Sequence, residues 1–330
     1  MIRAAAGGRL NIHRVSSQPV LKAAVIGAGV FGRHHAAKYK AVPGIDLLAI
    51  ADIDAGARAQ ALARFHVPAV ADWRELLGKV DLVSVCSPAI THAEIVRGFL
   101  NSGAHVLVEK PIATTAGEAD QLIALARSRG LVLTVGHQER YVLARSGLLQ
   151  ITGAPACIEC VREGPWTGRG TDVSVVLDLM IHDLDLVHSL IPGGVAELRA
   201  EGRFVYGQSY DAVNAKLVFE SGATVELTAN RAADERRRSL RIGYVDGGEI
   251  AVDFLTRKFV NTTRIALTLA ESADPLAESI TAFVSAVRAG APVIVRPEEA
   301  LRALETALLI EESLVPAVLS RKQRALRRTA

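Results

Sequence analysis

Short apolar runs alternate with helical segments along the first 140 residues of the chain. The apolar runs that predict strands cover residues 23–27, 46–52, 82–87, 104–108 and 131–135. Residues 32–39 and 114–129 predict helices between them, and in the latter Thr115 and Glu118 have the spacing of a capping box. Buried strands that are linked by helices predict a parallel, doubly wound sheet.

The pattern changes after about residue 150, where polar and apolar residues alternate over longer segments. These segments cover residues 198–206, 211–220, 223–230, 240–245 and 249–254. Ser-Gly at 221–222 and Asp-Gly at 246–247 are typical hairpin turns, so we expect an open, mainly antiparallel sheet covered on one face by helices. Two helices close the chain: one ends at Gly290, and the other begins after Pro297.

Composition and charge exclude several classes of protein. Half of the 330 residues are apolar and 22% are charged, which is typical of soluble enzymes. The net charge of +3 is too small to predict nucleic-acid binding, and no apolar run reaches the roughly 18–20 residues that span a bilayer. The three cysteines form no disulfide framework, so we expect a cytoplasmic protein. Cys157 and Cys160 form a C-x-x-C, which we interpret as a buried structural pair in a strand.

The first twenty residues form a separate segment, with three arginines and no acidic residue before Asp46. The segment has no apolar core, which argues against a secretory signal. We expect a flexible leader or an upstream start codon, with an organellar transit peptide as an alternative.

A glycine-rich turn joins the first predicted strand to the first predicted helix. Gly27, Gly29 and Gly32 form a G-x-G-x-x-G, whose glycines allow a tight turn, close approach of a pyrophosphate and close packing of helix on strand. The phosphates would bind the free N–H groups at the start of the helix. Asp52 ends the second strand twenty residues later, where a carboxylate accepts hydrogen bonds from a ribose 2′-OH and repels a 2′-phosphate.

These features predict a dinucleotide-binding domain at residues 21–140 that takes NAD in preference to NADP. Val30 and Phe31, inside the glycine turn, are expected to contact the cofactor. S-adenosylmethionine is an alternative ligand, because it also uses a glycine-rich first loop and an acid after the second strand. We expect residues 141–330 to form a substrate-binding and oligomerisation domain.

Lys110 directly follows the strand predicted at 104–108, within the sequence Glu-Lys-Pro. Ligands bind at the carboxyl ends of strands in open α/β sheets, and the proline behind the lysine holds the turn rigidly. An exposed loop lysine is the alternative interpretation. The position makes Lys110 a candidate active-site residue.

Residues 176–190 predict an amphipathic helix with an unusual polar face. Asp178, His182 and Asp185 share this face, which has no Lys, Arg or Gln. At i, i+4 spacing the carboxylate of Asp178 can orient and charge-stabilise the imidazole of His182. A solvated face is the alternative, but we favour a functional pair. A metal site is not predicted, because His188 lies about 120° round the helix from His182.

Two further segments supply candidate substrate contacts. His137, Arg140 and Tyr141 follow the last predicted strand of the first sheet, again at a carboxyl edge. Trp166 and Arg169 lie in a glycine-rich loop that either shapes a pocket or is a surface connection.

In combination these residues resemble the Gfo/Idh/MocA oxidoreductase family, named after glucose–fructose oxidoreductase and inositol dehydrogenase. The resemblance covers about residues 21–314 and rests on the glycine loop, Glu109-Lys110-Pro111, Asp178-x-x-x-His182, and Ser87-Pro88 with His92. It implies a Rossmann domain followed by an α/β domain with an open sheet, and it argues against a methyltransferase.

The resemblance also implies roles for individual residues. It implies that Lys110, Asp178 and His182 are catalytic and contact the substrate. The further cofactor contacts that it implies are Ser87, Pro88, His92, Glu109, Lys110 and Gln138. The chain lacks the glycines that many members of the family carry before the aspartate. In this respect, and in its segments 136–140 and 179–183, it resembles one branch of the family. That branch is the UDP-N-acetylglucosamine 3-dehydrogenases, which prepare an amino sugar for lipid A.

Two other functions stay open at this point: a free polyol or hexose dehydrogenase of the inositol type, and a non-catalytic regulatory module that binds NAD. In each case the partner is a small molecule. We also expect a homodimer or homotetramer, because a one-sided antiparallel sheet would leave an apolar face to be covered.

Overall fold

The computed structural model describes residues 19–151, 153–168, 170, 172–206, 208–267 and 274–316. The predicted leader lies outside these ranges except for residues 19 and 20. The described residues build an α/β fold around one sheet of six strands and one of eight. No helix in these ranges has the length and apolar character needed to cross a membrane.

The first sheet is wholly parallel. Its strands are β1 (Leu21–Ile26), β2 (Ile45–Ala51), β3 (Ala69–Val70), β4 (Leu82–Val85), β5 (His105–Val108) and β6 (Leu133–Val135). The strand order is β3-β2-β1-β4-β5-β6, which confirms the predicted doubly wound sheet. The direction of winding reverses between β1 and β4, the position at which such sheets bind ligands.

Helices connect these strands: α1 (Val30–Ala41), α2 (Ala55–Phe65), α3 (His92–Asn101), α4 (Ala116–Ser128) and α5 (Glu139–Ser146). The capping box predicted for α4 is present, because the Thr115 hydroxyl accepts a hydrogen bond from the Glu118 backbone N–H at 3.2 Å and donates to the Glu118 carboxylate at 3.1 Å. The short strand β3 and the helices α2, α3 and α5 were not identified from the sequence pattern.

The second sheet is mixed. Its strands are β7 (Cys157–Glu163), β8 (Val195–Arg203), β9 (Ala212–Phe219), β10 (Thr224–Asn230), β11 (Arg237–Gly243), β12 (Glu249–Asp253), β13 (Lys258–Asn261) and β14 (Leu314–Pro316). They follow the order β13-β12-β11-β7-β10-β9-β8-β14. Most pairs are antiparallel, as predicted, but β10 lies parallel to β7 and β14 lies parallel to β8.

Only one face of this sheet is apolar. That face packs against helices α6 (Ile181–Leu190) and α8 (Pro297–Ser313). The opposite face carries exposed ion pairs, including Lys216 with Glu226 at 2.7 Å and Arg241 with Glu249 at 3.6 Å. The expectation of an apolar open face was therefore wrong, because most of its outward positions are polar. Oligomerisation through it stays a prediction without that support.

The predicted buried cysteine pair was also wrong. Cys157 is exposed and Cys160 is buried. Side chains in a strand alternate between the two faces, so residues three apart point in opposite directions. The C-x-x-C spacing on β7 thus separates the two thiols across the sheet.

The C-terminal helices tie the two sheets together. Helix α7 (Pro275–Ala289) ends at Gly290, which has a φ of +64°, as the sequence predicted. Its side chains Ile280 and Phe283 are fully buried in the cluster that holds Tyr39 and Leu107 of the first domain. Helix α8 contacts both α4 and α6. The final helices, although encoded in the second part of the chain, complete the core of the first sheet.

We predict that Phe283→Ala lowers the free energy of unfolding by about 3–5 kcal/mol, because it removes a fully buried aromatic ring from the joint between α7 and the first sheet. Urea denaturation followed by circular dichroism would measure the loss. Leu309→Ala is the control, since Leu309 is 53% exposed on α8. Equal losses in the two variants would contradict this packing.

Candidate active site

A cleft of about 830 Å³ opens at the carboxyl edge of the first sheet. Its lining includes the residues that directly follow β1, β2, β4, β5 and β6, and it also includes residues of β7, of the loop that follows it and of α6. The cleft is therefore shared by both parts of the chain. Within the described ranges, no group of three or more His, Cys, Asp or Glu side chains is arranged to hold a metal ion.

The glycine turn forms one wall of this cleft. Gly27 has a φ of +96°, and a Cβ on it would lie 2.6 Å from the carbonyl oxygen of Cys86. A Cβ on Gly32 would lie 1.7 Å from the carbonyl oxygen of Gly27, so helix and turn pack too closely for any side chain there. A Cβ on Gly29 would meet nothing within 4 Å, which leaves its backbone open to the cleft.

The first turn of α1 is free to bind an anion. Within the described ranges no side chain caps its N-terminus, and its first turn has no acidic residue. Val30 and Phe31 line the cleft with 40% and 46% of their surface exposed. Uncapped N–H groups at the positive end of a helix, next to an open glycine, fit the pyrophosphate of a dinucleotide.

Asp52 lies at the cleft and also supports the glycine turn. One of its carboxylate oxygens accepts a hydrogen bond from the backbone N–H of Ala28 at 2.6 Å, and the other accepts from that of Asp54 at 2.8 Å. The sequence predicted that Asp52 contacts a ribose, but it did not predict these hydrogen bonds to the backbone. Each oxygen keeps a second lone pair, so both roles are compatible.

Lys110 joins the two parts of the chain. Its Nζ donates to the backbone carbonyl of Asp178 at 2.6 Å and to Oδ1 of Asp178 at 3.1 Å. The two side chains are 15% and 21% exposed. Gly170 packs against the same carboxylate, because a Cβ on it would lie 2.5 Å from Oδ2. The predicted neighbours Lys110 and Asp178 are thus brought into contact across 68 residues of chain.

His182 has a different carboxylate partner from the one predicted. Residues Val176–Met180 form a π-helical turn before α6, which interrupts the α-helical period on which the pairing with Asp178 was based. His182 Nδ1 lies 3.0 Å from Oε2 of Glu139, whose other oxygen accepts from Arg162 at 2.9 Å. Burial would raise the pKa of Glu139, but the charges of His182 and Arg162 hold it well below its usual range.

Three predicted substrate contacts lie outside the cleft. Arg140 is buried and donates to Asp185 at 2.9 Å and to Glu299 at 3.0 Å. Tyr141 is buried beside α7. His137 is buried with its ring edge-on to His182, 6.1 Å between centroids, and neither of its ring nitrogens has a hydrogen-bond partner in the described residues. These three side chains are buried and do not line the cleft.

Trp166 lies in the cleft, stacked on Tyr206 with 4.4 Å between ring centroids and 5.4 Å from the guanidinium carbon of Arg231. Its predicted neighbour Arg169 lies outside the described residues. In the same loop, Asp172 accepts a hydrogen bond from the backbone N–H of Ala89 at 2.9 Å. This bond links the loop to the Rossmann domain across the cleft.

The remaining predicted cofactor residues line the cleft, and some of them brace one another. Ser87, Pro88, His92, Glu109 and Gln138 all belong to its lining. His92 is buried, with Nδ1 2.7 Å from the carbonyl oxygen of Pro111 and Nε2 2.9 Å from that of Ser87, so it connects the turns that follow β4 and β5. Burial lowers the pKa of His92.

A buried polar chain lies beneath Glu109. Oε1 of Glu109 is 3.0 Å from Nε2 of His35, whose Nδ1 is 3.0 Å from the hydroxyl of Ser84, which in turn is 2.9 Å from that of Tyr39. Burial would raise the pKa of Glu109, but the hydrogen bond from His35 and the nearby charges, including Lys110, lower it. Sequence reasoning missed this chain and Glu139. Glu139 could have been identified from its position after β6, at the carboxyl edge of the sheet.

Protonation of His137 should destabilise the fold. Burial lowers its pKa to about 4 from the ordinary 6.5, so the fold requires the neutral ring. The unfolding free energy should be highest above pH 6.5 and fall as the pH drops toward 4, with about 2–3 kcal/mol of the loss due to this group. Urea unfolding at pH 7 and pH 4.5 would measure it. His137→Phe, which cannot be protonated, should lose less stability; an unchanged pH dependence would contradict the prediction.

Comparisons with known proteins give two family matches. Residues 21–137 match the model of GFO_IDH_MocA, described as an oxidoreductase family with an NAD-binding Rossmann fold. Residues 153–248 match the model of the GFO/IDH/MocA C-terminal domain. The two matches cover the Rossmann half of the cleft and the strands β7 to β11 of the second sheet.

Relatives match over most of the chain. UDP-N-acetylglucosamine 3-dehydrogenase of Acidithiobacillus ferrooxidans is 34% identical over 88% of this chain and 96% of its own length. A myo-inositol 2-dehydrogenase of Thermotoga maritima is 25% identical over 89% of this chain and 96% of its own length.

Solved structures agree with the fold. The A. ferrooxidans enzyme, GnnA, superposes with a TM-score of 0.83 at 34% identity and covers 89% of this chain and 97% of its own. GenD2 from gentamicin A biosynthesis, solved in complex with NAD, has the same fold, with a TM-score of 0.78 at 23% identity over 89% and 94% of the two chains. With both halves of its cleft matched, the chain belongs to the Gfo/Idh/MocA family of NAD-dependent oxidoreductases.

Proposed function

We propose that the protein oxidises a sugar hydroxyl to a ketone with NAD, and that the hydroxyl is the 3-hydroxyl of UDP-N-acetylglucosamine. The observation that carries the proposal is the convergence of Lys110, Asp178 and His182 on the cleft that the glycine turn also lines. A cation, a carboxylate and an imidazole thus line the same cleft as the glycine turn that would bind NAD, which supports the proposal.

Bound NAD supplies the hydride acceptor, and the protein must remove the hydroxyl proton. His182 is suited to this role. Its Nδ1 faces Glu139, which favours the tautomer with the proton on Nδ1 and leaves Nε2 as the base. Nε2 has no partner among the described residues. Glu139 also stabilises the imidazolium that forms when the proton arrives.

Lys110 is suited to hold the reacting oxygen. An ammonium has three N–H donors, and the contacts with Asp178 use two of them. The third can donate to the substrate oxygen, where it stabilises the negative charge that develops as the proton leaves. Asp178 fixes the lysine and partly offsets its charge.

The proposed sugar is supported by the similarity to the A. ferrooxidans enzyme along nearly the whole chain. A free polyol of the inositol type is the second candidate, supported by the T. maritima relative. A non-catalytic regulatory module is disfavoured, because the groups that a hydride transfer needs all line one cleft.

We expect Lys110→Ala and His182→Ala each to lower kcat by about 10²–10⁴-fold, since each removes a group that acts on the transferred proton or the developing charge. Turnover is followed by NADH absorbance, and NAD affinity by titration. NAD should still bind, because the glycine turn and Asp52 are unchanged. Lys216→Ala, on the open face of the second sheet, is the control. Wild-type turnover in either site variant would refute the assignment.

The substrate is tested by a panel with NAD. UDP-N-acetylglucosamine should produce NADH, and the ketone should appear at carbon 3 by NMR. Myo-inositol and free N-acetylglucosamine should give no turnover at the same concentration, because they lack the nucleotide that would anchor them. NADH from myo-inositol alone would favour the second candidate.

A further inference from the structure

Not every basic side chain that lines the cleft has an acidic partner. Six lysine and arginine side chains line it, and four of them have a carboxylate partner within ion-pair distance. The four pairs are Arg74 with Asp72, Lys110 with Asp178, Arg162 with Asp183, and Arg231 with Asp211. The guanidinium groups of the other two, Arg236 and Arg238, have no ion pair or hydrogen bond with any residue that the structure describes. Both are exposed.

The unpaired arginines lie on the second-domain wall of the cleft. Arg238 is paired in register with Arg162 across β11 and β7, so its side chain projects from the helix-covered face rather than the open one. Arg236 directly precedes β11 and packs beside Gly164, whose added Cβ would lie 3.3 Å from its Cγ. The glycine turn lies on the first domain, so these cations belong to a different part of the cleft.

Arg162, Arg236 and Arg238 are close enough to act on one another electrostatically. Partial burial and the neighbouring charges of Arg162 and Arg236 lower the pKa of Arg238, although Glu139 and Asp183 oppose this effect. A site at which cations repel one another attracts an anion, because the anion relieves the repulsion. Arg162 also contacts Glu139, the partner of His182, so an anion at Arg238 would lie close to the reacting sugar.

We propose that Arg236 and Arg238 form a subsite for the phosphoryl groups of the substrate, next to the sugar that is oxidised; the proposal rests on the proposed function. Guanidinium groups recognise phosphate oxygens through paired N–H donors, and two unpaired guanidinium groups match a diphosphate. A sugar 1-phosphate and a nucleoside diphosphate sugar share this chemistry. A neutral polyol would leave both arginines without a partner.

The test is binding of UDP and of N-acetylglucosamine 1-phosphate to the NAD-loaded protein, measured by calorimetry. The variants are Arg236→Gln, Arg238→Gln and the double variant. Each single change should weaken the binding of the phosphorylated probes about 10-fold or more, since a charge-assisted hydrogen bond contributes about 1.5–3 kcal/mol. The affinity of the same variants for NAD should change less than about twofold. Arg241→Gln is the control, because it lies on the same strand but on the open face, paired with Glu249 at 3.6 Å.

The outcomes separate this proposal from the proposed function. Loss of UDP affinity in the variants supports the subsite even if no sugar is oxidised, since binding is measured without turnover. Stronger binding of UDP than of the sugar phosphate identifies a nucleoside diphosphate, and the reverse order identifies a sugar phosphate; both support the subsite. The subsite is refuted if neither probe binds the wild type, if the variants bind both probes normally, or if they lose NAD instead.

Discussion

The contact between Lys110 and Asp178 is the constraint on which the rest of the site depends. It fixes an ammonium at the carboxyl edge of the parallel sheet against the π-helical turn that precedes α6. An ammonium that is only 15% exposed needs a nearby negative charge, and Asp178 supplies both a carboxylate and a carbonyl oxygen. Because these groups come from different parts of the chain, the site exists only when the two domains are docked. In the proposed function, the dinucleotide and the sugar meet in the cleft between them.

Buried ion pairs hold helix α6 on two opposite sides of its axis. Asp183 pairs with Arg162 at 2.7 Å, and Asp185 pairs with Arg140 at 2.9 Å, all with buried side chains. Breaking such a pair would leave an uncompensated buried charge, which is strongly destabilising. The network therefore fixes the rotation of α6 about its axis. That rotation presents His182 to the cleft.

The helices that close the chain pack against both of the parts that are docked. Helix α7 fills the core beside β1 and β5, and α8 contacts both α4 and α6. Apolar packing of this kind is non-directional and supplies the stability, whereas the ion pairs set the geometry. This division of roles explains how the site can hold so many charged groups. The free energy that holds the two domains together comes from the apolar surfaces of the closing helices, not from the charged groups of the site.

The sequence by itself determined the features that are encoded locally. The glycine turn, the strand that leads to Asp52, the position of Lys110 and the capped helix α4 each depend on residues that are close together in the chain. Local sterics and hydrogen bonding are enough to specify such features.

Only the tertiary structure decided which charges meet. Glu139 faces His182 across 43 positions, Glu109 faces His35 across 74, and Lys110 faces Asp178 across 68. Arg140 follows the strand β6 at the carboxyl edge of the sheet, where a ligand contact was expected. Its side chain is instead buried in an ion pair with Asp185. Electrostatic pairing depends on distance and burial, and these are set by how helices and sheets pack, so residues that are far apart in the chain acquire their partners only when the fold is complete.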